Sequence, residues 1–179
     1  MKYDNTISTA STPFFLGGYV PSVIGDNLEQ PEEFGIGLSY DINDFTFSAD
    51  YKRVNWSKAD GYKDFGWVDQ DIYALGAKYE KNGRWFAVGY NHAKNPITNY
   101  AGVNATEQVM NTFNYILFPA TQEDHYTIGA GTQVTQNLSL DFNIVYGTNN
   151  KITAVGFRGG AINVEHQETS ATISAKYIF

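Results

Sequence analysis

The residues of this chain that invite a chemical reading are three histidines, a group of carboxylates and one apolar quartet. Asp124 stands beside His125, and a carboxylate next to an imidazole is two thirds of a serine-activating triad. No serine is placed by spacing to complete it. His125 therefore reads as a hydrogen-bonding residue at a strand rim, and His92 and His166 fall in or near loops or strand ends. Asp60, Asp64, Asp69 and Asp71 supply oxygen ligands of the kind that Ca²⁺ takes. Their spacing lacks the ordered pattern of an EF-hand, so a solvated acidic loop is the favoured reading. Gly129-Ala130-Gly131 lacks the third glycine and the following helix of a dinucleotide-binding loop. No catalytic residue, metal or cofactor is expected. The quartet Pro13-Phe14-Phe15-Leu16 is different, because it is apolar in a stretch that reads as a loop. Phe14, Phe15 and Leu16 suit contact with a hydrophobic substrate or with lipid. A cluster buried under its own loop is the competing reading.

The elements that must carry these residues show a period of two. Leu138, Leu140, Phe142, Ile144 and Tyr146 alternate with Ser139, Asp141 and Asn143. Phe34, Ile36, Leu38, Tyr40 and Ile42 alternate with Gly35, Gly37, Ser39 and Asp41, and Phe45, Phe47, Ala49 and Tyr51 alternate with Thr46, Ser48, Asp50 and Lys52. The same pattern recurs around Ile72 to Glu80, Arg84 to Asn95, Tyr126 to Val134 and Ala171 to Phe179. Such alternation gives strands with one apolar and one polar face. With a weak first candidate at Tyr3 to Ser11, the count is about eight strands of roughly ten residues, long enough to cross a bilayer core when tilted.

The connections alternate as well. Asn43-Asp44, Lys81-Asn82-Gly83 and Thr135-Gln136-Asn137 are tight-hairpin lengths with suitable residues. Between them lie long connections at 12–33, 57–69, 97–124 and 148–168. Outer-membrane barrels have short periplasmic turns and long external loops. With a periplasmic C-terminus, every short turn falls on the periplasmic side. Only 17% of the residues are charged, against about a quarter in soluble domains. The 13 Tyr and 12 Phe suit aromatic girdles. A net charge of −7 argues against a nucleic-acid partner. No stretch has the roughly twenty apolar residues of a membrane helix, and the N-terminus has no apolar run of a signal peptide. Either a signal has been removed or the chain is the C-terminal part of a longer protein.

The chain also resembles a family. The resemblance rests on Pro31-Glu32-Glu33-Phe34-Gly35-Ile36-Gly37-Leu38-Ser39-Tyr40, on Trp67-Val68-Asp69-Gln70-Asp71-Ile72-Tyr73 with Gly76, and on Trp85-Phe86-Ala87-Val88-Gly89-Tyr90 through Asn95-Pro96-Ile97. It continues in Phe118-Pro119-Ala120 and Asp124-His125-Tyr126-Thr127-Ile128-Gly129. In this order and spacing the segments resemble the FadL/TodX group of outer-membrane transporters for long-chain fatty acids and other hydrophobic compounds. The resemblance implies passive diffusion of a hydrophobic small molecule, with no enzymatic step, in the bacterial outer membrane. It implies a barrel of fourteen strands with an N-terminal hatch, of which this chain looks like the C-terminal eight. The family's inner ligand site depends on the hatch and its lateral exit on an earlier strand, so neither transfers to residues here. The expected partners are the lipid bilayer, lipopolysaccharide and the barrel-assembly machinery, which in such proteins commonly reads a terminal Phe, here Phe179.

The sequence-level expectation is thus one all-β domain over 1–179, a transmembrane antiparallel up-and-down β-barrel. A self-standing eight-stranded membrane barrel with a structural, adhesion or lipid-related role is the alternative, and a soluble ligand-binding barrel with its apolar face inward is the third reading. In the membrane readings Ile36, Leu38, Ile128, Leu140, Phe142, Ile144 and Ile173 face lipid. Asp50, Lys52, Lys78, Asp141 and Lys176 face inward, because a mid-membrane Lys or Arg toward lipid costs about 2–4 kcal/mol. Arg53 breaks the parity, which predicts a bulge or the membrane rim near Lys52 to Val54.

Overall fold

The computed structural model describes residues 7–8, 27–119 and 121–178. Seven strands form one antiparallel sheet in chain order: β3 (Glu33–Ile42), β4 (Phe45–Val54), β5 (Gln70–Lys81), β6 (Arg84–Ala93), β7 (Asp124–Gln133), β8 (Leu138–Val155) and β9 (Ala161–Tyr177). The tight turns form where their residues require. Asn43 (φ 53°), Asn82 (φ 52°) and Gly83 (φ 70°) occupy the left-handed region that Asn and Gly tolerate best. Most of the first expected strand, Tyr3 to Ser11, lies outside the described residues. Within Tyr3 to Ser11, only β1 (Ile7–Ser8) is described as strand, and it pairs with β2 (Asn27–Leu28) outside the main sheet. Among the described residues the sheet is up-and-down and carries seven of the about eight expected strands.

Register turns the alternation into two surfaces. One row joins Tyr40, Phe47, Ala77, Val88, Ile128, Ile144 and Ala171 across the sheet. The row on the external-loop side joins Leu38, Ala49, Leu75, Tyr90, Tyr126 and Tyr146, and the row on the turn side joins Ile42, Phe45, Tyr79, Phe86, Ala130, Phe142 and Ile173. These side chains do not converge on an interior: Leu38 is 74% and Ile173 79% exposed. That removes the soluble barrel with an apolar core. The middle row is largely aliphatic, and the flanking rows are rich in Tyr or Phe, as membrane girdles are. Strands of ten residues rise about 33 Å and, tilted by about 40°, cover the ~25 Å of an apolar band.

The opposite face carries the polar set. Gly37, Asp50, Ala74, Asn91, His125, Gly147 and Glu168 form one row, and Ser39, Ser48, Gly76, Gly89, Thr127, Val145 and Ser170 the next. By register Lys52, Lys78, Asp141 and Lys176 join Asp50 there. Pairing of β4 runs without a shift to Val54, the last strand residue, so Arg53 marks the rim and no bulge is needed.

The long connections carry structure. That at 57–69 follows a 3-10 turn at Trp56–Lys58, and that at 97–124 contains helix α1 (Ala105–Leu117). The stretch 148–168, expected as a loop, is corrected: β8 and β9 continue as a paired hairpin up to Val155 and Ala161, after a register shift between Gly147 and Asn150. The extension has its own alternation, with Ile152, Ala154, Ile162 and Val164 on the side that packs against the core cluster.

Candidate transport surface and its cap

The described residues bury their hydrophobic core outside the membrane sheet, in a cap made of the three external connections. Phe65, Trp67, Ile97, Val109, Met110, Tyr115 and Ala154 are buried together. Trp67 is boxed by Trp56, Tyr62 and Phe118 at ring-centroid distances of 4.8, 5.0 and 5.0 Å. Phe65 stacks on Phe113 at 4.1 Å. The start of helix α1 is closed by the side chains of Asn104 and Glu107. The Asn104 side chain accepts from the Glu107 amide at 3.0 Å, and the Glu107 carboxylate accepts from the Gly102 and Val103 amides at 2.9 and 3.1 Å.

Two fully buried asparagines on α1 tie the connections together. Asn114 accepts from the Trp67 indole at 3.1 Å and donates to the Phe65 carbonyl at 3.0 Å. Asn111 accepts from the Tyr100 amide at 3.0 Å and donates to the carbonyls of Tyr100 and Val155, each at 2.9 Å. Each amide satisfies loop backbone that water cannot reach. Burial pushes the phenols of Tyr115 and Tyr100 above their ordinary value. A carboxylate does similar fastening at the base of the cap. Asp69 accepts from the Ser57 amide (3.1 Å) and hydroxyl (2.7 Å) and from Arg53 (3.0 Å). Burial alone would raise the Asp69 carboxyl, but these hydrogen bonds outweigh it and hold its pKa below the usual carboxylate value.

Three of the four carboxylates in the acidic group form ion pairs. Asp69 and Asp71 share Arg53, while Asp60 pairs with Lys63. Among the described residues no cluster of three or more His, Cys, Asp or Glu could hold a metal. Asp124 does not act with its neighbour His125. Its carboxylate accepts the Tyr90 phenol at 2.6 Å and meets His92 Nδ1 at 2.9 Å, on the apolar side of the sheet, while register places His125 on the polar side. Asp71 likewise accepts the Tyr51 phenol at 2.7 Å. The external girdle thus hangs tyrosine hydroxyls on two rim carboxylates. Sequence reading missed these pairs, although Tyr51–Asp71 and Tyr90–Asp124 follow from parity once the register is known. His166 lies opposite Asn150 in the extended hairpin, and Gly129-Ala130-Gly131 lies inside β7. Phe14, Phe15, Leu16 and Phe179 lie outside the described residues.

What the geometry offers chemically is a surface rather than a reaction centre. Small residues, among them Gly37, Ser39, Ser48, Gly76, Gly89 and Thr127, make up much of the polar face between the cap and the tight turns. At its far end Trp85, Asp141, Lys78, Glu80 and Lys176 line a groove of about 340 Å³. No helix among the described residues is long and apolar enough to cross a membrane.

These two faces, with short turns at one end and a folded cap at the other, define the fold as that of an outer-membrane β-barrel wall. No protein-family model and no curated protein sequence matches the chain. Solved structures do match. The crystal structure of the toluene transporter TodX of Pseudomonas putida is similar over 84% of this chain, with 17% identity and a TM-score of 0.59. A deltaS2 mutant of TodX, described as a monoaromatic hydrocarbon channel, is similar over 86% with 14% identity and a TM-score of 0.55. A deltaS2S3 mutant is similar over 85% with 15% identity and a TM-score of 0.58. At these identities the likeness is one of fold. The chain spans 35% to 39% of the length of those proteins.

Proposed function

We propose that this chain forms part of the wall and the external cap of an outer-membrane β-barrel that passes hydrophobic small molecules by binding and diffusion, without covalent chemistry. The observation that carries the reading is the division of one sheet into a girdled lipid-facing surface and a polar lane of small residues. Its support at the level of fold is the likeness to a toluene transporter. Long-chain fatty acids, suggested by the sequence resemblance, and monoaromatic hydrocarbons, handled by the structural neighbours, are both cargoes of the proposed class. The proposed partners are the bilayer, lipopolysaccharide at the tyrosine-rich external rim, and the assembly machinery through Phe179.

The test is uptake. The full-length protein, expressed in cells lacking their own hydrophobic-compound transporter, should confer saturable uptake of radiolabelled oleate or toluene. Uptake of neither, with the protein present and folded in the outer membrane, would end the transport reading in favour of a structural or adhesive barrel.

A further inference from the structure

The register shift between Gly147 and Asn150 inverts the polarity of the β8–β9 hairpin. Below it the outward face is the lipid face, ending in Tyr146 and Thr169, and the inward face is polar. Above it the inward positions are Ile152, Ala154, Ile162 and Val164, which pack against the cap core. The outward positions become Lys151, Thr153, Asn163, Glu165 and Gln167, bounded above by Val155 and Ala161. Cross-strand bonds hold this outward band in place. Gln167 donates to the Tyr146 hydroxyl at 3.0 Å, and Asn149 and Lys151 donate to Glu165 at 2.7 and 2.9 Å. Thr153 donates to Asn163 at 3.1 Å. Lys151 and Glu165 still keep more than half of their side-chain surface exposed.

We infer that this outward band is a saccharide-binding face whose ligand is the sugar core of outer-leaflet lipopolysaccharide. The inference rests on the outer-membrane wall proposed above and gives one of its partners a place; it is independent of the cargo. Position argues for it first. The band continues the lipid-facing surface without a break. The six residues of β9 from Thr169 to Asn163 rise about 15 Å above the tyrosine girdle at a tilt of about 40°. A lipid whose acyl chains lie against the lipid face therefore sets its sugars against the band. Chemistry argues for it second. The amides of Asn149, Asn163 and Gln167 each offer donors and an acceptor, as neighbouring sugar hydroxyls do. Glu165 is an ionised acceptor, because Asn149 and Lys151 hold its carboxyl below the usual value. Lys151 is engaged by Glu165, so the band carries no net charge and matches hydroxyls rather than phosphates. Since these side chains are already ordered across the strands, little rotamer freedom is lost on binding.

The experiment compares rough lipopolysaccharide, which carries core sugars, with lipid A, which carries none. Each is titrated into the full-length protein in the same detergent micelles, and binding is read by thermophoresis. Wild type should bind the rough lipopolysaccharide roughly tenfold more tightly, the scale of one or two net hydrogen bonds. Asn149→Ala, Asn163→Ala and Glu165→Ala together should erase that preference. Their affinity for lipid A should stay at the wild-type value, which also reports that the variant is folded. Equal binding of the two ligands by wild type overturns the saccharide face, and so does a triple variant that keeps the preference. Binding of neither overturns the face and lipopolysaccharide as a partner together. Toluene uptake, measured separately, decides the passage reading whichever way the face falls.

Discussion

At the scale of single residues, the cap depends on groups that hydrogen-bond where water is excluded. Asn114→Ala would leave the Trp67 indole and the Phe65 carbonyl without their partner. Each orphaned buried group costs about 1–3 kcal/mol. The cap should open locally, seen as faster proteolysis between 57 and 123, while the membrane sheet stays intact. The Asp69 fastening has a pH signature. Its folded pKa is depressed, so its stabilisation is complete above the unfolded value of about 4 and is lost as pH falls through the folded value. Protease protection of the cap should therefore fall in that acid window, and Asp69→Asn should flatten the dependence. A third residue-level prediction concerns the apolar quartet. If Phe14, Phe15 and Leu16 capture substrate, replacing all three by Ser in the full-length protein should lower uptake; undiminished uptake removes them from the site.

At the scale of the strand, register makes neighbouring positions inequivalent. Ile128 lies in the middle row of the apolar face, and Thr127 faces the polar lane beside Gly89. Ile128→Lys should destabilise the membrane-inserted protein by about 2–4 kcal/mol. Thr127→Lys should cost far less, because its ammonium is not pressed into hydrocarbon. Chemical unfolding from lipid vesicles reads the difference, and equal effects would contradict the assigned faces. The same logic explains Arg53. One residue from the strand end it stands on the lipid side, yet it reaches Asp69 and Asp71 at 3.0 Å each and has no need of a bulge.

At the scale of the whole molecule, the sheet is open among the described residues: β3 pairs with β4 alone and β9 with β8 alone. Unpaired backbone facing lipid costs several kcal/mol per group, which a spanning structure cannot sustain. With seven strands alternating in direction, β3 and β9 run the same way, so direct closure would create a parallel seam. All-antiparallel closure needs an odd number of further strands, whatever supplies them. Amides of β3 that point away from β4 should accordingly be protected from hydrogen exchange in the membrane-inserted full-length protein. Rapid exchange there would mean that the edge stays open.

The strands of the membrane sheet and its two faces were legible in the sequence, because a strand's side chains alternate whatever it pairs with, and lipid selects one set. The tight turns were legible because Asn82-Gly83 carries its own backbone preference. Even Asp50, Lys52, Lys78, Asp141 and Lys176 sorted correctly, since parity alone places them. The cap was not legible. Its core joins Phe65, Val109 and Ala154, which are distant in sequence and meet only in the folded chain. Its buried amides Asn111 and Asn114 read as ordinary polar helix residues until their partners arrive from other connections. The extended hairpin hid behind Thr148-Asn149-Asn150, which reads as a loop until Ile152 and Val164 find a helix to cover. The partnership of Asp124 with His92, rather than with adjacent His125, needed the register. Neighbours along a strand point to opposite faces, so only cross-strand pairing could decide which imidazole the carboxylate meets.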